Sequence, residues 1–266
     1  MGIINVNGDS FYAASRAAGA EAAVERARCM LEEGADILDL GACSTRPGAE
    51  QPSEKEEWRR LKPALEAIRK AFPEAKISVD TYRAGIVERT HDSIGPFLVN
   101  DISAGQMDAR MLPLVGRLGL PYVAMHMRGT PETMQQFTEY TDITEDVMAY
   151  FEAFAAKADA NGIRTWILDP GFGFAKTVEQ NYELLRNMDR LQELGRPVLV
   201  GLSRKSMIYK PLGITPEEAL APTQVLHFVA MEKGADILRV HDVAAAVNTV
   251  KLYSTMYTSS PGAAKL

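Results

Sequence analysis

The sequence predicts one α/β domain, a single (β/α)8 TIM barrel with its active site at the C-terminal ends of the strands. Three observations carry this. Short β-branched or aliphatic runs alternate with longer helical patterns along the whole chain, the mark of βα units and a parallel sheet. Eight such runs occur, and neither a linker nor a low-complexity stretch separates them, which favours one closed barrel over a doubly wound sheet. The length of 266 residues fits, since single barrels of roughly 200 to 250 residues are common.

The strands are expected over 2–6, 36–40, 76–80, 97–101, 121–125, 165–169, 197–201 and 236–241. The helices between them have readable starts. Ser53 with Glu56 is a capping box, and behind it Trp58, Leu61, Leu65, Ile68 and Phe72 recur at alternating spacings of three and four, giving one apolar face. Pro63 lies inside that helix and predicts a kink. Asp142 with Glu145 repeats the capping pattern, and Thr215, Pro216 and Glu218 combine an N-cap, a first-turn proline and a reciprocal carboxylate. Gly34-Ala35-Asp36-Ile37-Leu38 recurs as Gly234-Ala235-Asp236-Ile237-Leu238, each copy ending a helix and opening a strand. The domain is expected over 1–257, and the small polar residues of 258–266 read as a flexible C-terminal tail.

Composition narrows the function. Lys and Arg number 29 against 35 Asp and Glu, a formal net charge of −6, which argues against binding nucleic acid by phosphate neutralisation. Any bound anion must be held by a local basic cluster. A hydrophobic fraction of 46% with 24% charged residues is ordinary globular composition, with enough apolar residues for a real core. Cys29 and Cys43 form no C-x-x-C motif or Cys/His cluster, so neither a disulfide scaffold nor a zinc site is indicated, and the cytoplasm is the expected compartment. No apolar run approaches the roughly 18 residues needed to span a bilayer, and no basic-then-apolar segment marks export. Val6 stands where a myristoylation signal needs Ser or Thr.

In a barrel the strand residues alternate inward and outward, and chemistry gathers where the strands end. The last inward positions are polar: Asn5 shares a face with Ile3, Asp80 with Ser78, Asn100 with Leu98, Asp169 with Ile167, and Arg239 and His241 with Ile237. Lys205, in Ser203-Arg204-Lys205-Ser206, adds a cation just beyond the seventh strand. Any one of these could cap the next helix, the expected job of Asp242. Together they suit a flat polar heterocycle that donates and accepts hydrogen bonds, because a buried polar group left unpaired costs about 1–3 kcal/mol. Arg46, Lys205, Arg239 and His241 form the candidate anion cluster. Arg239 lies inside a strand end and must be paired, either by an anion or by a neighbouring Asp in a purely structural pair.

Two motifs are set aside. Residues 171–177 look like a phosphate loop, but Ala175 stands where the Walker motif needs Gly, and no G-x-G-x-x-G is present. The glycines there are expected to turn a loop over the mouth. His126 has no partner at ligand spacing and reads as a core or surface histidine.

In this order along the chain the segments closely resemble the dihydropteroate synthase family of pterin-binding TIM barrels, from Gly2 to about Val250. The matching pieces are Gly2-Ile3-Ile4-Asn5-Val6 with Asp9-Ser10-Phe11, Ser44-Thr45-Arg46-Pro47-Gly48-Ala49, Ser78-Val79-Asp80-Thr81 and Val99-Asn100-Asp101-Ile102-Ser103. They continue with Met125-His126-Met127, Asp169-Pro170-Gly171-Phe172-Gly173-Phe174, Ser203-Arg204-Lys205-Ser206 and Arg239-Val240-His241-Asp242. The resemblance implies a transferase of folate biosynthesis. It would join 6-hydroxymethyl-7,8-dihydropterin diphosphate to 4-aminobenzoate, giving 7,8-dihydropteroate and diphosphate with Mg²⁺. The family is a sulfonamide target, and its barrels are commonly dimers, so a homodimer is expected.

Residue by residue, the resemblance implies that Asp80, Asn100, Asp169 and Lys205 line the pterin pocket. Asn5, Arg46, Arg239 and His241 match the diphosphate and Mg²⁺ positions, with Asn5 as metal ligand. Loops carrying Asp9, Thr45 and Arg46 would close over 4-aminobenzoate, with Ser206 and Phe172 lining its slot. The first loop departs from the family's usual Asn-Val-Thr-Pro-Asp-Ser-Phe, since Asn7-Gly8 precede Asp9 here. Two alternatives follow: a pterin-binding methyltransferase barrel, which would not be expected to keep Ser-Thr-Arg-Pro with Ser-Arg-Lys-Ser, and a pterin-binding protein whose altered first loop impairs catalysis.

Overall fold

The structure, a computed structural model, describes residues 1–6, 13–43 and 51–258, and the side chains of these except 13–18 and 258. The strands are β1 (Gly2–Asn5), β2 (Ile37–Gly41), β3 (Lys76–Asp80), β4 (Leu98–Asp101), β5 (Tyr122–Met125), β6 (Trp166–Asp169), β7 (Leu199–Val200) and β8 (Ile237–Leu238). All neighbouring pairs are parallel, β1 to β6 in one sheet and β7 with β8 in a second. Single bridges close the ring: Leu168 pairs with Val198, and Gly2 pairs with Val240. Ile3 N donates to Val240 O at 3.0 Å and Val240 N to Met1 O at 2.9 Å, so the first and last strands are joined by backbone.

The helices are α1 (Ala13–Glu32), α2 (Glu54–Ala71), α3 (Ala84–Ile94), α4 (Met111–Leu118), α5 (Ile143–Ala160), α6 (Val178–Arg186), α7 (Ser206–Leu212), α8 (Leu220–Glu232) and α9 (Val243–Thr258). Each βα unit contributes one helix except the seventh, which contributes both α7 and α8. Outward strand residues such as Leu38, Leu40, Val79, Val99, Ala124, Leu168 and Val200 are buried in one core with the inner helix faces. Inside the barrel a smaller apolar layer of Met1, Leu98, Val123 and Leu199, with Ile37, Ile167 and Ile237 against it, plugs the N-terminal end. The polar inward residues therefore sit on an apolar floor.

Local sequence explains the helix starts. Ser53 Oγ accepts from Glu56 N at 3.2 Å, and Asp142 Oδ1 accepts from Thr144 N and Glu145 N at 2.9 and 3.0 Å. The reciprocal halves of these boxes do not form, because Glu56 turns to Arg59 and Arg60 and Glu145 turns to Arg190. Charged partners outbid a backbone N–H. At the third start the reciprocal half does form, Thr215 N donating to Glu218 Oε2 at 2.8 Å. Pro63 neither ends nor splits α2, which runs unbroken through it. The repeated pentapeptide builds one junction twice: Gly34 and Gly234 take φ of +99° and +89°, and Ala35 and Ala235 donate back to Met30 O and Ala230 O at 2.8 and 2.9 Å.

The aromatic packing beside β5 and β6 fixes the strands that carry the site. Tyr122 stacks on Phe154 at 5.8 Å between centroids, and Phe154 meets Trp166 edge-on at 5.0 Å. Burying one such ring is worth about 1.5–3 kcal/mol. The last helix extends through Thr258, one residue past the expected domain boundary, and 259–266 lie outside the described residues.

Candidate active site

Asp80 and Asn100 are register partners at the ends of β3 and β4, and Asp169 ends β6. Asn100 and Asp169 are 4% and 6% exposed, buried enough that each polar group needs a partner. Glycine at two inward positions keeps the mouth open. A Cβ on Gly41 would come within 3.3 Å of the Asp80 Cβ, and one on Gly201 would reach Arg239 and Lys205 at 3.9 to 4.0 Å.

Arg239 is committed to the protein. Its Nε donates to Asp39 Oδ2 and its Nη2 to Asp80 Oδ2, both at 2.7 Å. Asn100 Nδ2 reaches the same Asp39 carboxylate at 3.3 and 3.4 Å. Burial works against the Arg239 charge, but Asp39 and Asp80 outweigh it and raise its pKa. Two of its nitrogens thus serve a buried ion pair with Asp39 and Asp80, the structural alternative to an anion partner. Asp39, the missed partner, is fully buried. Its signal was an acidic residue inside the apolar run Ile37-Leu38-Asp39-Leu40, on the same face as Ile37.

Asp169 and Lys205 are tied to one loop. Asp169 Oδ1 accepts from Gly171 N at 2.8 Å, and Lys205 Nζ donates to Phe172 O at 2.5 Å. Burial pushes the Asp169 carboxyl up, with Lys205 opposing the rise. It pushes the Lys205 ammonium down to about 8, with Asp169 opposing the fall. Lys205 Nζ also lies 4.6 Å from the centre of the Phe174 ring. The Phe172 ring, expected in the slot, is fully buried in the outer core, so only its carbonyl serves the mouth. The Phe174 ring stands nearer the Lys205 ammonium. It packs with Tyr82, Ile102, Met125, Met127, Met134 and Ala175 as an apolar cluster above the strand ends.

The remaining positions form the rim. Asn5 is exposed at the end of β1, and Ser206 opens α7 directly after Lys205. His241 Nδ1 lies 3.0 Å from Ser203 Oγ, and burial, with Arg239 adding to it, lowers its pKa. The imidazole is therefore neutral at pH 7. Contrary to the expected cap, the Asp242 carboxylate turns from α9 to the Arg204 guanidinium, its two oxygens accepting at 2.7 and 2.9 Å. His126 is 2% exposed, as the core reading has it. The three non-glycine residues with positive φ among those described, Ala104, Ala175 and Arg204, lie in the loops after β4, β6 and β7. Strain thus gathers at the mouth. Asp9, Thr45 and Arg46, with Asn7 and Gly8, lie outside the described residues.

The chain matches a known family model, "Pterin binding enzyme", over residues 1–241. The chain belongs to the pterin-binding enzyme family. Members similar to it include the dihydropteroate synthase of Haemophilus influenzae, 41% identical over 255 residues covering 95% of this chain and 92% of the relative. Among solved structures, the Yersinia pestis dihydropteroate synthase with a sulfonamide drug complex superposes with a TM-score of 0.90 at 36% identity, covering 97% and 94% of the two chains. The Thermus thermophilus dihydropteroate synthase in complex with 4-aminobenzoate gives 0.84 at 40% identity, covering 97% and 93%. Such enzymes are transferases of folate synthesis, and the fold of this chain is theirs.

Proposed function

We propose that this chain is a dihydropteroate synthase, condensing 6-hydroxymethyl-7,8-dihydropterin diphosphate with 4-aminobenzoate to 7,8-dihydropteroate and diphosphate. The observation that carries the reading is the anchoring of both Asp169 and Lys205 to one loop at the barrel mouth, with Asn100 and Asp80 on neighbouring strands. A carboxylate there accepts from the amidine-like N–H groups of a pterin ring, while the amide and the ammonium meet its acceptor edges. The aromatic face of Phe174 and the apolar chains beside it bury the flat ring.

No protein nucleophile is required. The aniline nitrogen attacks the pterin methylene carbon, a C–N bond forms as the C–O bond breaks, the electron pair leaves on diphosphate, and the nitrogen's proton passes to water. Positive charge grows on the pterin as negative charge grows on the leaving group. Carboxylates on the ring side and cations on the diphosphate side are the preorganisation this needs. Arg239 and neutral His241, which donates one N–H, are assigned to the diphosphate side together with Arg46, and Thr45 and Asp9 belong to the loops assigned to the second substrate.

Asn5 offers one amide oxygen, a hard donor that fits Mg²⁺, and no group of three or more His, Cys, Asp or Glu side chains that could hold an ion occurs among the described residues. That is the donor set Mg²⁺ uses when water and substrate phosphates complete its shell. Asn5 would hold the ion, which when bound supplies positive charge beside the diphosphate.

A homodimer in the cytoplasm completes the proposal. Val225 on α8 and Leu252 and Met256 on α9 are large apolar side chains left exposed on adjacent helices, suited to a second copy. Both cysteines are free, and no described helix is long and apolar enough to cross a membrane. Sedimentation at micromolar concentration tests the dimer. For the site, Asp169→Asn tests the reading by calorimetric titration with 6-hydroxymethyl-7,8-dihydropterin. Loss of detectable binding with an unchanged melting temperature supports it, and wild-type affinity overturns it.

A further inference from the structure

We infer that Lys176 is a positioning residue for the pterin pocket, its ammonium clamped beneath the loop that aims Asp169 and receives Lys205. The inference rests on the pterin reading above. Lys176 is the residue that gives 171–177 its phosphate-loop look, yet it is 4% exposed and runs under the loop. Its Nζ donates to Gly171 O and Phe174 O and meets His126 Nδ1, each at 3.0 Å. Three acceptors match the three protons of an ammonium, and the set is complete only when His126 is neutral with its proton on Nε2. Burial holds the imidazole in that neutral form, and the nearby Lys176 and Arg128 charges reinforce it.

The loop needs such a tie. Gly171, Gly173 and Ala175 take φ of +69°, +83° and +49°, a tight left-handed turn that the two glycines adopt freely and that strains Ala175. Lys176 binds both ends of the turn, Gly171 and Phe174. On the α6 side Asn181 Oδ1 accepts from Gly173 N at 2.7 Å. From the turn so fixed, Gly171 N reaches Asp169, Phe172 O reaches Lys205, and the Phe174 ring stands beside the Lys205 ammonium. Every contact that orients the pair comes from the segment Lys176 holds.

Charge adds a second route. Burial disfavours ionised Asp169, and the cations facing it, Lys205 from the β7 loop, Arg239 from β8 and Lys176 from below, oppose that. Lys176 itself is faced by Asp169, Lys205 and Arg128, and by His126 in contact; burial lowers it to about 7, with Asp169 opposing. Deleting the Lys176 charge leaves Asp169 readier to take a proton, which removes an acceptor from the pterin site.

Lys176→Met in the full chain tests this, with wild type alongside. Binding of 6-hydroxymethyl-7,8-dihydropterin is followed by calorimetry from pH 5.5 to 8.5, and amide hydrogen exchange is read over 170–175. The expected result is at least ten-fold weaker binding at pH 6.5, where the Lys176 ammonium is populated, an acidic limb of the affinity profile moved to higher pH, and faster exchange in the loop. In Lys176→Ala, butylammonium should restore part of the affinity where butanol does not. Affinity within two-fold of wild type, an unmoved acidic limb and unchanged exchange would overturn the inference. If Lys176→Met does not fold, His126→Leu removes one of the three acceptors: three-fold weaker binding supports the clamp, and wild-type affinity overturns it. Wild-type protein that binds no pterin at any pH would sink the functional reading instead, while the exchange data still decide the clamp.

Discussion

Arg239→Met should cost more in stability than any substitution at the rim of the mouth. The change deletes the guanidinium, so Asp39, fully buried, and Asp80, with a side chain 14% exposed, lose contacts of 2.7 Å and face each other without a cation, Asp39 keeping only the longer Asn100 contacts. Each lost charge-assisted hydrogen bond is worth about 1.5–3 kcal/mol, and removing one partner of a buried pair typically costs about 3–5 kcal/mol. One escape is open. Burial, with Asp39 adding to it and Arg239 opposing, already pushes Asp80 up to about 7, and without the cation the pair will hold a proton more tightly. Between the unfolded carboxylate value near 4 and the raised folded value, the folded variant then binds a proton that the unfolded chain releases. Its stability therefore rises as pH falls through that window. The deficit relative to wild type should be about 3–5 kcal/mol at pH 7.5 and visibly smaller at pH 5.5. Urea unfolding at the two pH values reads both numbers. A deficit below about 1 kcal/mol, or one independent of pH, would refute the buried triad and return Arg239 to the bound anion.

Three further outcomes are expected. Lys205→Ala should abolish detectable pterin binding, measured by calorimetry, while far-ultraviolet dichroism and melting stay as in wild type, because the side chain lines the mouth and not the apolar floor. Ala175→Gly should raise stability by up to about 1 kcal/mol in urea unfolding, since an Ala at φ +49° bears a left-handed strain that Gly does not; a loss of stability would contradict it. Asn7→Thr with Gly8→Pro should lower the KM for 4-aminobenzoate several-fold without changing pterin affinity, because proline restricts the open ensemble of the first loop by about 1 kcal/mol; an unchanged or higher KM defeats that argument.

The strands were legible because period-two alternation and apolar content are local. The first six agree with the expected runs to within one residue at each end. Strands β7 and β8 are shorter than expected, two residues each, because outside their own short ladder only single bridges join them to β6 and β1. What could not be read was pairing across distance. Asp39 looked like part of an apolar run until Arg239, two hundred residues away, was placed beside it. Glu57 reads as one more surface carboxylate of α2, yet it is buried and holds Thr81 and Arg83 from the end of β3. The choice between Phe172 and Phe174 fails for another reason: positive φ at Gly171 and Gly173 breaks the alternation that assigns faces in a strand. The capping box of Thr177 with Gln180 stood in the segment set aside as a false phosphate loop. Among the candidate site residues, those that end strands were read from their position and Arg46 and Lys205 from their charge, while Asp9, Thr45, Phe172 and Ser206 came only from the resemblance.

Release of diphosphate in the presence of both substrates tests the central claim most directly. The purified chain is given 6-hydroxymethyl-7,8-dihydropterin diphosphate and Mg²⁺, with and without 4-aminobenzoate, and diphosphate and 7,8-dihydropteroate are measured together. The account predicts equal amounts of the two products, formed only when 4-aminobenzoate is present. Diphosphate released at the same rate without 4-aminobenzoate, or pterin bound with neither product formed, would contradict it.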